Sequence, residues 1–267
     1  LVEMQIAAGV SGIVPVGTTG ESPTVDAKEH LQIIEAVTRK VNKRCQVIAG
    51  TGANATSEAI HLSTEAAKMG VDATLQVTPY YNKPNAEGLY RHFLTVAEHS
   101  GLPIVLYNVP GRTGKEIPLE VVSRLASHPL VLAIKEAGGS VERVSAILDS
   151  CDLTVFSGDD SLTVPMLSVG ARGVISVASN LIPGEIVKMV SAALAGDYAQ
   201  AQSYHRRYYP LFRDLFLESN PIPVKAAMAD CGLLHEEYRL PLYPMSPENR
   251  RKLRTTLQKL GLDGKKA

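Results

Sequence analysis

Seven short apolar runs, rich in β-branched residues, recur along this 267-residue chain, and each leads into a segment of helical period. They are "GIVPV" (12–16), "QVIAG" (46–50), "ATLQVT" (73–78), "IVLYNV" (104–109), "VLAIK" (131–135), "LTVFSG" (153–158) and "GVISVA" (173–178). Their apolar character is continuous rather than alternating, which suits parallel strands covered on both faces. Between them, 24–41 starts from Thr24 and sets Leu31, Ile34, Val37 and Val41 at three- and four-residue steps. The segment 56–70 opens on Thr56-Ser57 and closes on Gly70, a start and a stop signal for a helix. Helical segments also read over 86–101, 118–127, 140–149, 160–170 and 184–196. Repeated βα units make a parallel sheet. A strand spacing of about thirty residues then predicts a closed (β/α)8 TIM barrel rather than an open doubly wound sheet.

Seven runs are one short of that barrel, and Leu1 already sits in a helix-like segment. A ring of seven strands would leave two open edges, so a first strand is expected before Leu1, with 12–16 and 173–178 flanking a gap. After Gly196 the pattern turns wholly helical: 197–217 with Pro210 as an expected kink, 222–231, and 247–260. The expected organisation is a barrel over 1–196 lacking its first strand, then a C-terminal helical appendage over 197–267 with a polar end, "DGKKA".

Composition narrows the function. Lys+Arg and Asp+Glu both number 27, so the formal net charge is zero and no basic face for nucleic acid is implied. No apolar run is long enough to span a membrane, and "LVEMQIAAGVSG" does not read as a secretion signal. Cys45, Cys151 and Cys231 are scattered and odd in number, which fits reduced thiols in the cytoplasm. None forms a CxxC pair and the seven histidines show no HExxH, so no metal site is expected. Without GxGxxG or GK[ST], a nucleotide cradle is unsupported.

In a barrel of this kind, chemistry gathers at the C-terminal ends of the strands. Those ends read "PVGTTGES" (15–22), "GTGAN" (50–54), "TPYYNKP" (78–84), "YNVPGRTG" (107–114), "KEAGG" (135–139), "SGDD" (157–160) and "SVASN" (176–180). The set suits carbonyl chemistry. Lys135 ends a run that otherwise wants burial, and a lysine amine drawn out of bulk water can form an imine with a keto acid. Tyr107, one strand earlier, is placed to move protons. Thr18 and Thr19, in a Gly-Thr-Thr-Gly turn, offer hydroxyls and backbone N–H groups to a small carboxylate, and Arg112 offers a fork to a second one. Each residue also has a structural reading: a solvated strand-end lysine, a core tyrosine, turn-forming threonines, an arginine in a surface ion pair.

Taken in order, "GTTGES", "TPYYNKP", "YNVPGRTG", "IKEAGG", "SGDD", "GVISVASN" and "NPIPVKAA" (220–227) resemble the dihydrodipicolinate synthase family of class I pyruvate aldolases. The resemblance implies a lyase of lysine and diaminopimelate biosynthesis that condenses pyruvate with L-aspartate 4-semialdehyde and needs no cofactor. It implies that Lys135 forms the Schiff base, and that Tyr107, Thr18 and a neighbouring subunit's Tyr81 relay protons. Thr18 and Thr19 would hold the pyruvate carboxylate, Arg112 that of the aldehyde, and Gly158 and Ile175 would line the pyruvate pocket. It also implies a homotetramer built as a dimer of dimers, and L-lysine as a feedback inhibitor bound by Ser22, His30, Asn54, Glu58 and Tyr80. Pro23 and Ala27 depart from what lysine-sensitive members often carry. Glu58 and His30, each on a helix, have a plain reading as solvated side chains. Two other functions compete: an aldolase acting on a sugar acid or glyoxylate, against which Arg112 and "NPIPVK" argue, and a non-catalytic barrel that senses a small acid.

Overall fold

The β-branched runs pair side by side because a covered parallel ladder satisfies their backbone groups while burying both faces. The structure, a computed structural model, describes residues 1–264. Seven strands, β1 (Gly12–Ile13), β2 (Gln46–Gly50), β3 (Ala73–Val77), β4 (Ile104–Asn108), β5 (Val131–Glu136), β6 (Thr154–Ser157) and β7 (Gly173–Val174), form one parallel sheet in sequence order. The sheet curls as in a barrel, and no pairing joins β1 to β7 among the described residues, so these strands stand at its two ends as expected. Both are shorter than the runs that announce them, because each has a ladder partner on one side only.

Helices α1 (Val2–Ala7), α2 (Ala27–Val41), α3 (Thr56–Lys68), α4 (Ala86–Ser100), α5 (Pro110–Thr113), α6 (Leu119–Ala126), α7 (Val141–Ser150), α8 (Thr163–Ser168) and α9 (Pro183–Leu194) intervene between or flank the strands. The chain then runs through α10 (Tyr198–Asp214), α11 (Ile222–Asp230) and α12 (Pro247–Lys259). Two details correct the sequence reading. The second helix starts at Ala27, because the Asp26 carboxylate accepts from the Glu29 N–H at 2.8 Å, while Ser22–Thr24 forms a separate 3-10 turn. The segment read as one helix over 160–170 is a 3-10 turn at Asp160–Leu162 followed by α8. Pro210 lies inside α10, which continues to Asp214. Of the polar end, residues 265–267 lie outside the described residues.

α1 packs against α2 and α9, and Gln5 Nε2 donates to Ser179 O at 2.7 Å, bridging the side on which the sheet is open. The largest apolar cluster is continuous from the outer faces of β4–β6 into the C-terminal helices, through Phe93, Ile134, Ile147, Met189, Phe212 and Leu253. A second cluster faces the other way. Leu75, Val105, Tyr107 and Ala133, with Phe156 and Ile175 beside them, lie on alternate strand positions and fill the interior of the curl.

His92 on α4 is 5% exposed, with Nδ1 2.9 Å from Thr56 Oγ1 at the start of α3. Burial disfavours its imidazolium and lowers its pKa from 6.5 to about 4. Below pH 6.5 the unfolded chain therefore takes up a proton that the folded chain refuses until about pH 4, so stability falls as pH drops through that window. Urea unfolding between pH 7 and pH 4 is expected to lose roughly 2–3 kcal/mol through this residue. The His92→Gln variant, which keeps a partner for Thr56, should show a correspondingly shallower slope; equal slopes would place the pH dependence elsewhere.

Candidate active site

Parallel register sets the centre of the site. Tyr107 pairs with Lys135, and Lys135 with Phe156, so three adjacent strands point these side chains to the same inner face. The Lys135 Nζ sits 4.2 Å from the centroid of the Tyr107 ring. Tyr107 is 6% exposed, yet its hydroxyl makes no hydrogen bond to another protein group among the described residues. Gly158 lies against the lysine stem. A Cβ there would stand 3.1 Å from Lys135 Cε and 2.5 Å from Ala137 Cβ, so only glycine leaves the stem its place. Ile175 belongs to the same inner cluster, its N–H held by Ser157 O at 2.9 Å.

The next residue points outward and is fully buried. The Glu136 carboxylate accepts from Asn108 Nδ2 at 2.9 and 3.0 Å, from the Gly138 N–H at 2.7 Å, and from Arg143 Nε at 2.9 Å. Asn108 Oδ1 in turn accepts from the Ile117 N–H, and Arg143 Nη2 donates to Ile117 O. A Cβ at Gly138 would stand 2.6 Å from Glu136 Oε1, so glycine permits that close approach. This network locks the ends of β4 and β5 together with the loops that follow them. None of it was legible in sequence, where Glu136 read only as the residue after the lysine.

Beyond β6, the Asp160 carboxylate accepts from Ser176 Oγ at 2.5 Å and from the N–H groups of Val177 and Ala178, tying this loop to the turn after β7. Burial pushes the Asp160 carboxyl up, against these hydrogen bonds. Its neighbour Asp159 is also raised by burial, while the charge of Lys135 pulls the other way.

Thr18 and Thr19 lie in a 3-10 turn, Thr18–Gly20, that ends on Glu21 in the left-handed region at φ 57. That turn is organised from the far end of the chain. Asn220 Nδ2 donates to Thr19 Oγ1 at 3.0 Å, and Lys225 on α11 pairs with the buried Glu21 carboxylate. The Arg239 N–H donates to Glu21 Oε2 at 3.2 Å, and its guanidinium reaches Glu29. Arg112, on α5, donates from Nη2 to Asn220 O at 2.9 Å and makes no ion pair with an acidic side chain among the described residues. Arg112, Asn220, Glu218 and Phe216 line one open cavity; Asp159, Tyr209 and Phe216 line its neighbour.

The structure thus brings Lys135, Tyr107, Gly158 and Ile175 to one face, and links Thr19 to Arg112 through Asn220. Tyr81 is not among them: it is 92% exposed on the loop after β3, at φ 73. That loop is fastened by Asn54 Nδ2 donating to Tyr80 O and Asn82 Nδ2 donating to Asn54 O. Of the remaining predicted residues, Ser22 sits in the 3-10 turn before α2 and Glu58 is exposed on α3. The Glu58 charge acts on both His30 and Tyr80, whose hydroxyl is raised first by burial and then by that carboxylate. His30 is not the solvated side chain that helical spacing allowed. It is 5% exposed, its Nε2 lies 2.6 Å from Gly50 O, and burial pushes its pKa down.

The family model of the dihydrodipicolinate synthetase family matches residues 1–260. A 4-hydroxy-tetrahydrodipicolinate synthase of Geotalea daltonii is 50% identical over 264 residues, covering 98% of this chain and 91% of that protein. The crystal structure of dihydrodipicolinate synthase from Aquifex aeolicus superposes with a TM-score of 0.97 at 46% identity, covering 99% of this chain and 92% of that one. A chloride-inhibited synthase from Acinetobacter baumannii, complexed with pyruvate, gives 0.96 at 45% identity, covering 98% and 90%. The synthase of Cyanidioschyzon merolae with lysine bound gives 0.94 at 40%, covering 98% and 91%.

The Glu136 network carries its own prediction. Arg143→Leu leaves a wholly buried carboxylate without its cation and is expected to lower unfolding free energy by about 3–5 kcal/mol in urea. Adding Glu136→Gln should recover part of that loss. A double variant as unstable as the single one would mean that the ion pair is not what holds these loops.

Proposed function

The chain belongs to the dihydrodipicolinate synthetase family, and from that premise we propose that it is a 4-hydroxy-tetrahydrodipicolinate synthase acting through a Schiff base on Lys135. The observation that carries the proposal is the Lys135 amine over the Tyr107 ring, on the same inner face as a glycine that clears its stem.

Lys135 adds through its amine lone pair to the C2 carbonyl of pyruvate, and the carbinolamine loses water to give a protonated imine. The Tyr107 hydroxyl, free of protein partners, moves protons for both steps, with Thr18 and the Tyr81 of a second copy completing the relay. Thr18 and Thr19 hold the pyruvate carboxylate; Gly158 and Ile175 bound its pocket. Loss of a C3 proton gives an enamine, the protonated imine serving as the electron sink. The enamine carbon bonds to the aldehyde carbon of L-aspartate 4-semialdehyde, whose carboxylate Arg112 holds. The amino group of that substrate then adds to C2 and displaces Lys135. The ring is 4-hydroxy-tetrahydrodipicolinate, and one water is the only other product. No external cofactor enters this balance.

Tyr81 supports a shared site, since a tyrosine held 92% exposed on a fastened loop is available to a second copy across a two-fold interface. The assembly proposed is a dimer of dimers, working in the cytoplasm. Among the described residues, no helix is long and apolar enough to cross a membrane. L-lysine is the proposed feedback inhibitor, taken by Ser22, His30, Asn54, Glu58 and Tyr80. Glu58 suits an ammonium group, and Asn54 and Tyr80 suit a carboxylate. Tyr80 adjoins Tyr81, so occupancy at the first perturbs the relay at the second.

Pyruvate followed by borohydride is expected to leave a reduced pyruvyl group on Lys135 by mass spectrometry, and Lys135→Arg to abolish it. An adduct on another lysine would sink the assignment. Turnover should be found with pyruvate plus L-aspartate 4-semialdehyde and not with pyruvate plus N-acetylmannosamine or glyoxylate. No adduct at all would favour the small-acid sensor.

Two further outcomes follow. Mixing inactive Tyr81→Phe with inactive Lys135→Ala should restore some activity through hybrid dimers, and no recovery despite verified exchange would count against a shared tyrosine. Millimolar L-lysine should lower turnover, and Glu58→Ala should remove that inhibition while sparing basal rate.

A further inference from the structure

Asn220 stands where three elements meet. It is 5% exposed at the start of the segment leading into α11, its side chain reaches Thr19, and its backbone carbonyl takes a hydrogen bond from Arg112. Its Oδ1 is buried without a protein donor among the described residues. All of the amide's hydrogen bonding to protein is therefore spent as a donor to the Thr19 hydroxyl.

That direction has a chemical consequence. A threonine hydroxyl has one proton and two lone pairs. With one lone pair occupied by Asn220 Nδ2–H, the proton of Thr19 is left to point away from Asn220 and toward whatever acceptor enters the turn. An acceptor in place of Nδ2 would reverse this, drawing the Thr19 proton to itself and presenting lone pairs to the ligand. A carboxylate ligand needs the first arrangement.

We propose that Asn220 is a positioning residue for the pyruvate carboxylate: its amide fixes the Thr19 hydroxyl as a donor, while its carbonyl holds Arg112 at the second carboxylate site. The inference rests on the synthase reading above and deepens it. Asn220 works from the C-terminal segment on a turn 201 residues earlier in sequence. Lys225, five residues on, braces the same turn through Glu21.

The test reads pyruvate binding apart from overall turnover: the pyruvate concentration giving half-maximal borohydride trapping on Lys135, measured by mass spectrometry in the full chain. Asn220→Asp keeps size and shape but turns donor into acceptor. It is expected to raise that concentration by roughly tenfold or more, about the worth of one hydrogen bond to a charged group. Asn220→Ala, which merely frees the hydroxyl, should raise it by a smaller factor. Because the effect passes through Thr19, Asn220→Ala should add nothing in a Thr19→Val background. Thermal melting checks that each variant is folded; if Asn220→Asp is not, the Ala and double variants decide the matter alone. A labelled wild type with unchanged half-saturation in both Asn220 variants, or effects of Asn220→Ala and Thr19→Val that multiply in full, would overturn this inference and leave the synthase reading standing. A wild type that takes no label would overturn both.

Discussion

A carboxylate with no exposure to water is the constraint around which this active face is arranged. Glu136 loses several kcal/mol of hydration on burial, and only a nearly complete set of donors returns it. Asn108, Gly138 and Arg143 supply that set, and each comes from a different place: the end of β4, the loop after β5, and α7. Satisfying one anion therefore fixes three backbone segments at once. The reward appears one residue earlier. With β5 held at its C-terminal end, alternation leaves Lys135 no direction but inward, opposite Tyr107 in the ladder.

The two elements proposed to hold the substrate carboxylates are fastened differently. The Thr18–Gly20 turn and the Arg112 loop have no ladder between them; a crosspiece from the C-terminal helices joins them. Asn220, Lys225 and Arg239 all make hydrogen bonds or ion pairs to the region 19–29. Apolar packing reinforces this, since the largest core cluster passes from the strands through α9 into α10, α11 and α12 without a break. The helices after Gly196 thus act as part of the site's frame as well as packing beside it.

What sequence could and could not reveal follows the range of the forces involved. Strand runs and helical periods are local, so β2 through β6 and most helices fall within a residue or two of their expected spans. Where a neighbour is needed, the reading strays. β1 and β7 shrink because each lacks a second ladder partner, and α2 starts late because Asp26 caps it. Lys135 and Tyr107 drew attention because strand ends carry chemistry in this architecture, whereas Gly158 was named only through the family resemblance. The burial of His30 was not legible either, since helical spacing assigns it a face but not the Gly50 carbonyl beside it. Glu136, Asp160 and Asn220 were missed as individual residues. Their importance lies in partners on other elements, and nothing in "KEAGG", "SGDD" or "NPIPVK" names those partners.

The 201-residue separation between Asn220 and Thr19 also orders events in time. During synthesis, at about 5–20 residues per second, Lys135 and the central strands leave the ribosome long before the segment that shapes the Thr18–Gly20 turn. A nascent chain can lay down β2 through β6 while residues 18–21 still lack Asn220, Lys225 and Arg239. On the proposed chemistry, competence arrives only with the C-terminal helices, and the Lys135 amine spends the interval without a finished pocket. A chain cut short near residue 200 would carry Lys135, the proposed nucleophile, without Asn220, Lys225 and Arg239, which hold residues 19–21.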